Sequence, residues 1–305
     1  MISTFNEWDS LQEVVVGSAA GANWPSADPV FSQEIFKTTW RETPVPAGAV
    51  PQWIVDEANE DLDTLSTTLE QLGVTVHRPQ DIDFVARGGM YNYCPRDRLL
   101  VYGDTVVDTV MMYPCRDMEI EALDVVTQRA SRLLKMPRDR GIVLDAANIL
   151  RLNDTWLFLK SSSGNHEALE WVSDTFVDVR IESCNFYSGV HIDSTIVPLR
   201  EGLVMLNASR VNEQNCPEVF KKWDKIWIDD VVAQDFYQYP YASKWIAMNM
   251  LVVDPQTVIV DRHQQDLIYR LEQWNFTVVP LELRHSRTLG GGFHCVTLDL
   301  VRVHK

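Results

Sequence analysis

Short apolar and β-branched runs recur along the chain and predict buried strands. Five of them follow turns rich in Asp, Asn, Pro or Gly, and each leads into a helical pattern and then a further short strand. The five runs lie at residues 13–16, 99–102, 156–159, 203–206 and 258–260. The further strands predicted after them lie at residues 74–76, 143–144, 177–179, 226–228 and 278–279.

Between the strands, apolar residues recur at the spacing of an α-helix. The first set steps by four and three residues, as one buried helix face requires, and comprises Ala58, Leu62, Leu65, Leu69 and Leu72. A second face is predicted from Ile120, Leu123, Ala130 and Leu133, and a third from Leu267, Leu271 and Trp274. Shorter helices are predicted near residues 167–172 and 217–223.

Five repeats of strand, helix and strand indicate an α/β fold built from similar units. Units that cannot bury their own faces must pack against one another. We therefore expect a single domain over residues 1–305, a five-fold pseudosymmetric α/β propeller of five ββαβ-like units. Its helices would lie outside, and strand ends would surround a central site. The alternative is a three-layer α/β sandwich with coincidental spacing.

The composition narrows the possible partners. The chain of 305 residues carries 27 Lys and Arg against 43 Asp and Glu, so its formal net charge is −16. Such an acidic surface disfavours nucleic acids and anionic membranes. The N-terminus lacks a basic region and an apolar core, and no apolar run is long enough to cross a bilayer. We expect a cytoplasmic protein that binds neither.

The cysteines indicate a reducing compartment. There are five, an odd number, scattered without a CxxC pair: Cys94, Cys115, Cys184, Cys216 and Cys295. This pattern is not typical of a disulfide framework or of a zinc site.

One cysteine lies where a chain can present a thiol to a substrate. Cys295 follows three glycines, Gly290 to Gly292, with His294 beside it and an apolar run after it. Glycine backbone permits tight turns and close approach of a ligand. The alternative is a glycine turn that feeds a buried strand, with Cys295 as a small apolar filler. His294 would point to the opposite face of that strand, so we assign it no catalytic role.

If the closing strands point inward, polar residues directly after them should line the centre, and residues near these strand ends complete a nucleophilic set. Asp145 follows the apolar run 142–144, and His191 lies in the turn 188–193. Together with Cys295 they supply a thiolate that attacks, an imidazole that moves protons and a carboxylate that orients the ring. Taken alone, Asp145 is typical of a helix cap and His191 of a core histidine.

Two further carboxylates, Asp97 and Asp193, come from similar positions. Several buried aspartates around a cysteine are costly unless a cation neutralises them. A planar guanidinium, with five donors in a fixed fork, satisfies paired carboxylates well. The alternative for Asp97 is a surface ion pair with Arg96 that contributes little.

The order of these motifs resembles that of the guanidino-group-modifying enzymes of the pentein fold, and specifically the amidinotransferases. The resemblance covers nearly the whole chain. It runs through segments 6–9, 13–17, 93–97, 145–148, 191–195 and 289–295, the last of which reads Leu-Gly-Gly-Gly-Phe-His-Cys. This ordered set is far more specific than any one motif.

Within that family, the chain is more similar to the inosamine-phosphate branch than to the glycine branch. Glycine amidinotransferases usually carry Asp at the position of Asn148, Met at Val190 and Ser at Ala242. The segment between residues 117 and 145 is shorter than in both branches, and the chain ends soon after the nucleophile. We therefore expect a smaller or more open rim, with the proline-rich residues 24–46 as a lid or rim.

The resemblance implies transfer of an amidino group from L-arginine to an acceptor amine, with release of ornithine. Cys295 is implied as the nucleophile, His191 as the proton carrier and Asp145 as the group that fixes the His191 tautomer. The guanidinium of arginine is implied to lie between Asp97 and Asp193. Attack requires a thiolate, so we predict a Cys295 pKa lowered to ~3.5–7.5 by the substrate cation and His191.

Two more residues are implied to bind substrate. Arg210 matches the family position that holds the arginine carboxylate, and Ser243 lies in the Ser-Lys-Trp segment 243–245. Taken alone, Arg210 is also typical of a solvated loop, and Ser243 of a helix start. The candidates for a phosphate cradle are Arg200, Arg284 and Arg287.

Three functional classes follow from these residues. The leading hypothesis is an amidinotransferase that uses small molecules only, arginine and an inosamine-phosphate-like or glycine-like amine, with no cofactor and no metal. The second is a hydrolase on the same scaffold that converts arginine or a related guanidino compound with water. The third is a non-catalytic ring that binds a protein, because fold alone does not establish activity. A homodimer is the first expectation for any oligomer.

Overall fold

The computed structural model describes residues 2–32, 46–187, 189 and 191–303. In chain order the strands are β1 (Ser10–Val16), β2 (Asn23–Trp24), β3 (Gly48–Ala49), β4 (Thr75–His77), β5 (Leu99–Tyr102), β6 (Thr105–Asp108), β7 (Arg132–Lys135), β8 (Ile149–Leu152), β9 (Thr155–Leu159), β10 (Arg180–Cys184), β11 (Ile196–Arg200), β12 (Leu203–Asn207), β13 (Asp224–Ile228), β14 (Leu251–Asp254), β15 (Thr257–Asp261), β16 (Thr277–Leu281) and β17 (Thr297–Val303).

The helices are α1 (Pro29–Ser32), α2 (Gln52–Gln71), α3 (Phe84–Arg87), α4 (Pro95–Arg98), α5 (Asp124–Thr127), α6 (His166–Thr175), α7 (Gln265–Gln273) and α8 (Ser286–Leu289). Four 3₁₀ helices lie at Pro114–Ala122, Ala146–Asn148, Glu218–Phe220 and Lys244–Met248. None of the helices among the described residues is long and apolar enough to cross a membrane.

Five three-stranded sheets in the described chain share one topology. In each, the first strand pairs antiparallel with the middle strand, which pairs parallel with a third strand reached through helical structure. Four of the sheets follow chain order: β5-β6-β7, β8-β9-β10, β11-β12-β13 and β14-β15-β16. The fifth has the order β17-β1-β4, and β2 and β3 form a separate two-stranded ribbon.

The fifth sheet joins the two ends of the described chain. Strand β17 pairs antiparallel with β1, from Val16 opposite Thr297 to Ser10 opposite Val303. The Gly17 N–H also donates to the carbonyl of Val296 at 2.8 Å. The segment that leads into β17 is thereby held beside residues from the start of the chain.

The longest helix has the buried face that its spacing predicts. Of the five residues in that set, Ala58, Leu62, Leu65 and Leu69 are fully buried on α2. Leu72 is instead 42% exposed, because the helix ends there and Gly73 turns the chain at φ 85°. The five predicted apolar runs all lie in strands, which confirms them.

Three predictions of local structure were wrong. Residues 120–133 do not form one helix, because Leu133 pairs with Val106 as part of β7. The strand predicted at 143–144 is absent, since β7 already completes that sheet. The strand predicted at 177–179 begins later, at Arg180, where pairing with Thr155 of β9 fixes the register. In each case a tertiary pairing overrides a short local pattern.

Buried charges connect the elements at the centre of the molecule. Glu7 accepts two hydrogen bonds from the Arg151 guanidinium, at 2.8 and 2.9 Å, and Arg151 also donates to Asp299 at 3.1 Å. Arg96 and Arg302 donate to Asp299 at 2.6 and 2.8 Å. All five side chains are buried. Burial alone would raise the pKa of Glu7, but Arg151 and His294 hold it well below its usual range.

Replacing Arg151 with methionine should strongly destabilise the protein. The substitution leaves Glu7 and Asp299 buried without that partner, which costs about 3–5 kcal/mol of unfolding free energy. Arg180→Met is the matched control, because the Arg180 side chain is 62% exposed and its pair with Glu182 is 3.8 Å long. The control should change stability by less than about 1 kcal/mol. If urea denaturation shows the same loss of unfolding free energy in Arg151→Met and Arg180→Met, the central role of the Arg151 contacts is contradicted.

Candidate active site

The predicted catalytic residues and the two predicted aspartates share a position in the repeated unit, as does Asn249, which was not predicted, whereas Arg210 follows the middle strand β12. The residues that share this position lie not after the closing strands, as expected, but in the segments just before the first strand of each sheet. The five segments contribute Asp97 before β5, Asp145 before β8, His191 and Asp193 before β11, Asn249 before β14, and Cys295 before β17. The structure therefore brings together residues that are up to 198 positions apart in the sequence.

The nucleophile candidate lies in a turn, not in a strand. Gly290 ends α8 with a φ of 86°, and residues 293–296 form turns before β17 begins. Cys295 is 2% exposed, and its Sγ donates to Asp193 Oδ2 at 3.4 Å. The thiol thus points at a carboxylate, which a purely apolar filler would not do.

His294 lies on the same side as Cys295, which corrects the strand-based expectation. Its Nδ1 is 2.8 Å from the same Asp193 Oδ2, and its Nε2 is 3.3 Å from Glu7 Oε2. Strand alternation fails because the backbone here is a turn. Burial alone would raise the pKa of Asp193, but the hydrogen bond from His294 lowers it.

His191 lies between two carboxylates. Its Nε2 is 3.0 Å from Asp145 Oδ2, and its Nδ1 is 3.5 Å from Asp97 Oδ1. Burial alone would lower the pKa of His191, but the charges of Asp97 and Asp145 raise it to about 9. The imidazole is therefore protonated at neutral pH in the substrate-free site.

Asp145 does not cap the helix that follows it. Its side chain makes no capping hydrogen bond to the 3₁₀ helix Ala146–Asn148. Instead, Oδ1 accepts the Met112 N–H at 2.8 Å while Oδ2 faces His191. The first contact fixes the carboxylate so that the second can orient the imidazole.

Asp97 is paired with an arginine that the sequence reasoning missed. Arg116 donates to Asp97 Oδ2 at 2.8 Å and holds both oxygens of Glu119. The proposed surface pair between Asp97 and Arg96 was wrong, because both residues are buried and Arg96 binds Asp299. Asp97 Oδ1 has no hydrogen-bond partner among the described residues, although it is fully buried.

The protein groups by themselves do not lower the pKa of Cys295. Burial, followed by the charges of Asp193 and Asp97, raises the pKa of the thiol well above its ordinary value. The lowering predicted from the substrate cation and His191 together stays a prediction. A thiolate therefore requires an additional positive charge in the site.

The substrate-binding candidates lie at different places. Arg210 donates to Thr195 Oγ1 at 2.7 Å, and its guanidinium lies 4.3 Å from the centre of the Tyr187 ring. No carboxylate among the described residues pairs with it, so its charge is available to a ligand. Ser243 precedes the 3₁₀ helix Lys244–Met248 without a capping hydrogen bond, and its role stays a prediction.

The three phosphate candidates have other partners. Arg284 is paired with Glu60 and Asp61, so its charge is neutralised. Arg200 donates to the carbonyls of Pro255 and Trp274. The third, Arg287, donates to the carbonyls of Ala242 and Gln234. Most of the predicted lid, residues 33–45, and Val190 lie outside the described residues.

The centre of the site also offers ligands of a kind that metals bind. Ligand atoms of Asp97, His191 and Cys295 all lie within 4.8 Å of one another. A thiolate, an imidazole and a carboxylate suit Zn²⁺. That the protein works without a metal stays a prediction.

These features define an α/β protein with a buried cysteine, histidine and carboxylate site. The chain is 40% identical to inosamine-phosphate amidinotransferase 1 of Streptomyces griseus, over 99% of this chain and 97% of that protein. It is 28% identical to the L-arginine:L-lysine amidinotransferase of Pseudomonas savastanoi pv. phaseolicola, over 99% and 94%. No family model matches it. The chain belongs to the amidinotransferase family and is an enzyme.

Solved structures agree with this assignment. The inosamine-phosphate amidinotransferase of Streptomyces griseus superposes with a TM-score of 0.90 at 37% identity, covering 100% of this chain and 98% of that one. A dimethylarginine dimethylaminohydrolase superposes with a TM-score of 0.69 at 13% identity, over 95% and 99%. The second likeness concerns the fold alone.

Asp145→Asn should lower the pKa of His191 from about 9 by one to three units, because the neighbouring carboxylate charge is lost. The raised pKa stabilises the folded protein fully below pH ~6.5, and this contribution is lost as the pH rises through 9. In the variant, the stability that the Asp145 charge adds through the raised His191 pKa should be lost, so stability should fall less as the pH rises toward 9. Histidine NMR titration, with His191→Gln for assignment, measures the shift.

The exposed Asp139→Asn variant is the control for this titration. It removes the same charge far from the imidazole and should leave the His191 pKa unchanged. An unshifted pKa in Asp145→Asn would contradict the assigned pairing.

Proposed function

We propose that this enzyme transfers the amidino group of L-arginine to an acceptor amine through a covalent amidino-cysteine. The observation that carries the proposal is the placement of Cys295 beside Asp193, with Asp97 Oδ1 in the same small site, where it lies 3.5 Å from His191 Nδ1 and accepts no hydrogen bond from the described residues. Two carboxylates around a thiol match the charge and the planar donors of a guanidinium. We also propose that residues 1–305 form a single amidinotransferase domain.

We also infer that the five sheets form a closed ring around this site. Their common topology and the pairing of β17 with β1 support this arrangement. So does the equivalent position of the five segments that contribute site residues. A crystal structure should show the sheets around one axis, and an open layered arrangement would contradict the inference.

In the first half-reaction, the Cys295 thiolate attacks the central carbon of the arginine guanidinium. A carbon–sulfur bond forms, and the carbon–nitrogen bond to the ornithine side chain breaks. His191, which is protonated at neutral pH, gives its proton to the departing amine. Ornithine leaves, and the cationic amidino group remains on the sulfur between Asp97 and Asp193.

In the second half-reaction, the acceptor amine attacks the same carbon. The neutral His191 formed in the first step takes the proton of the amine, and the carbon–sulfur bond breaks. Asp145 holds the imidazole in one orientation throughout, through its contact at Nε2. The products are the guanidino compound and the regenerated enzyme.

The substrate itself supplies the charge that the thiol needs. In the free site, burial and two carboxylates raise the pKa of Cys295. A bound guanidinium places a positive charge among these groups and lowers that pKa, because opposite charges favour the ionised form. The proton of the thiol is released to water as the cation enters, so that the reactive thiolate forms chiefly when a substrate is present.

Arg210 is the candidate for the carboxylate of arginine. It is half-buried above Tyr187, and burial lowers its pKa without removing its charge. We propose that the same position receives an anionic group of an acceptor once ornithine has left. The acceptor is an amine of the inosamine-phosphate or glycine type, and the named relatives act on different amines.

Incubation with isotope-labelled L-arginine should add one labelled amidino group to the protein and release one equivalent of ornithine. Intact-mass spectrometry and analysis of the supernatant measure both. Cys295→Ala should form no adduct, whereas Cys184→Ala should behave like the wild type, because Cys184 lies on β10 away from the site. Adduct formation by Cys295→Ala would refute the nucleophile assignment.

The products in the supernatant also distinguish amidino transfer from hydrolysis. Continuous release of citrulline without an added amine would identify a hydrolase, the chemistry for which the dimethylarginine dimethylaminohydrolase of the same fold is named. If neither an adduct nor a product forms, arginine is not the donor. Once the adduct is formed, a panel of amines identifies the acceptor by loss of the added mass.

A further inference from the structure

Asn249 contacts the nucleophile from a neighbouring sheet unit. It follows the 3₁₀ helix Lys244–Met248 and is 1% exposed. Its Oδ1 accepts the backbone N–H of Cys295 at 2.9 Å, and its own carbonyl accepts the His294 N–H at 3.3 Å. One residue thus holds the backbone of two consecutive site residues.

Gly292, which precedes this turn, packs closely against Asn249. A Cβ at Gly292 would lie 2.7 Å from Asn249 Cβ and 2.9 Å from its Oδ1. Only glycine allows such an approach without displacing the asparagine. In turn, the backbone N–H of Gly292 faces the Cys295 sulfur and opposes the large increase in the pKa of the thiol.

The amide nitrogen of Asn249 has no role in the contact with Cys295. Nδ2 is buried and makes no hydrogen bond among the described residues. Burial raises the pKa of Asp193, and the Asn249 side chain is the smallest of the causes that lower it, after His294 and His191. Asn249 therefore holds the nucleophile's backbone, and its side chain acts on the carboxylate that faces the thiol.

We propose that Asn249 is a positioning residue that fixes Cys295 Sγ relative to Asp193, so that sulfur and carboxylate engage the same guanidinium. The inference rests on the proposed function and deepens it, because it assigns the alignment of the nucleophile to a residue outside the Cys-His-Asp set. Misplacing a reacting atom by about 1 Å can reduce a rate about 100-fold. Asn249 acts on the reaction only through Cys295 and Asp193.

Two substitutions separate the contacts of Asn249. Asn249→Ala removes the acceptor for the Cys295 N–H and should slow formation of the amidino adduct about 10- to 100-fold, with little change in the KM for arginine. Asn249→Asp keeps that acceptor but adds a negative charge beside the thiol. It should move the pH midpoint of Cys295 alkylation upward by at least one unit. At the high pH where this thiol titrates, the new carboxyl is ionised.

Two rates are measured. The first is the rate of iodoacetamide labelling at each cysteine as a function of pH, followed by peptide mass spectrometry. The second is the single-turnover rate of amidino-adduct formation. Asn275→Asp is the control, since it adds the same charge at an exposed position between α7 and β16. It should leave both readouts unchanged. Urea denaturation reports the folding of every variant.

The proposal would be overturned if both variants formed the adduct at the wild-type rate and kept the wild-type pH profile of alkylation, with only a lower denaturation midpoint. Asn249 would then be a structural residue. The alkylation arm uses no arginine. If the wild-type enzyme forms no adduct, the proposed donor fails, and the pH shift of Asn249→Asp alone decides the role of Asn249.

Discussion

The structure depends on a set of buried charges that contacts His294, the neighbour of the nucleophile. Glu7 and Asp299 are surrounded by Arg96, Arg151 and Arg302, and each carboxylate contacts more than one guanidinium. A buried charge without its partner is strongly destabilising, so these groups must stay in register. They belong to the first segment of the chain, α4, β8 and β17. The network therefore fixes the relative positions of several sheet units, and through His294 it reaches the active site.

The site beside this network has an excess of negative charge. Asp97 and Asp145 flank His191, Asp193 contacts His294, and Arg116 is shared between Asp97 and Glu119, a carboxyl whose pKa burial raises to about 7. In the proposed mechanism, the guanidinium of the substrate offsets this negative charge. The same carboxylates that keep the Cys295 thiol protonated in the free enzyme would bind a guanidinium and then permit ionisation. Selection of the substrate and activation of the nucleophile are thus one electrostatic event in the proposed mechanism.

The donor and acceptor sides of the reaction are specified in different ways. The groups proposed to bind the amidino carbon are buried and come from the segments before the first strands, where two or more contacts fix each of them. Arg210, proposed for the carboxylate of arginine and then for an anionic group of the acceptor, is held among the described residues by Thr195 and Tyr187. Relatives named for different acceptors are similar to this chain over nearly its whole length.

The sequence by itself determined the elements with strong local patterns, such as the buried face of α2 and the five apolar runs, because periodicity reports burial directly. Its motif order also identified the family and the residues that the structure brings together. Only the tertiary structure decided the strands β7 and β10, whose positions follow from pairing partners far along the chain. It likewise decided that His294 faces Asp193, that Arg116 holds Asp97, that Asn249 supports Cys295, and that the thiol is protonated in the free site. These properties depend on distances between side chains from different units and on their burial, and no local pattern in the sequence encodes either.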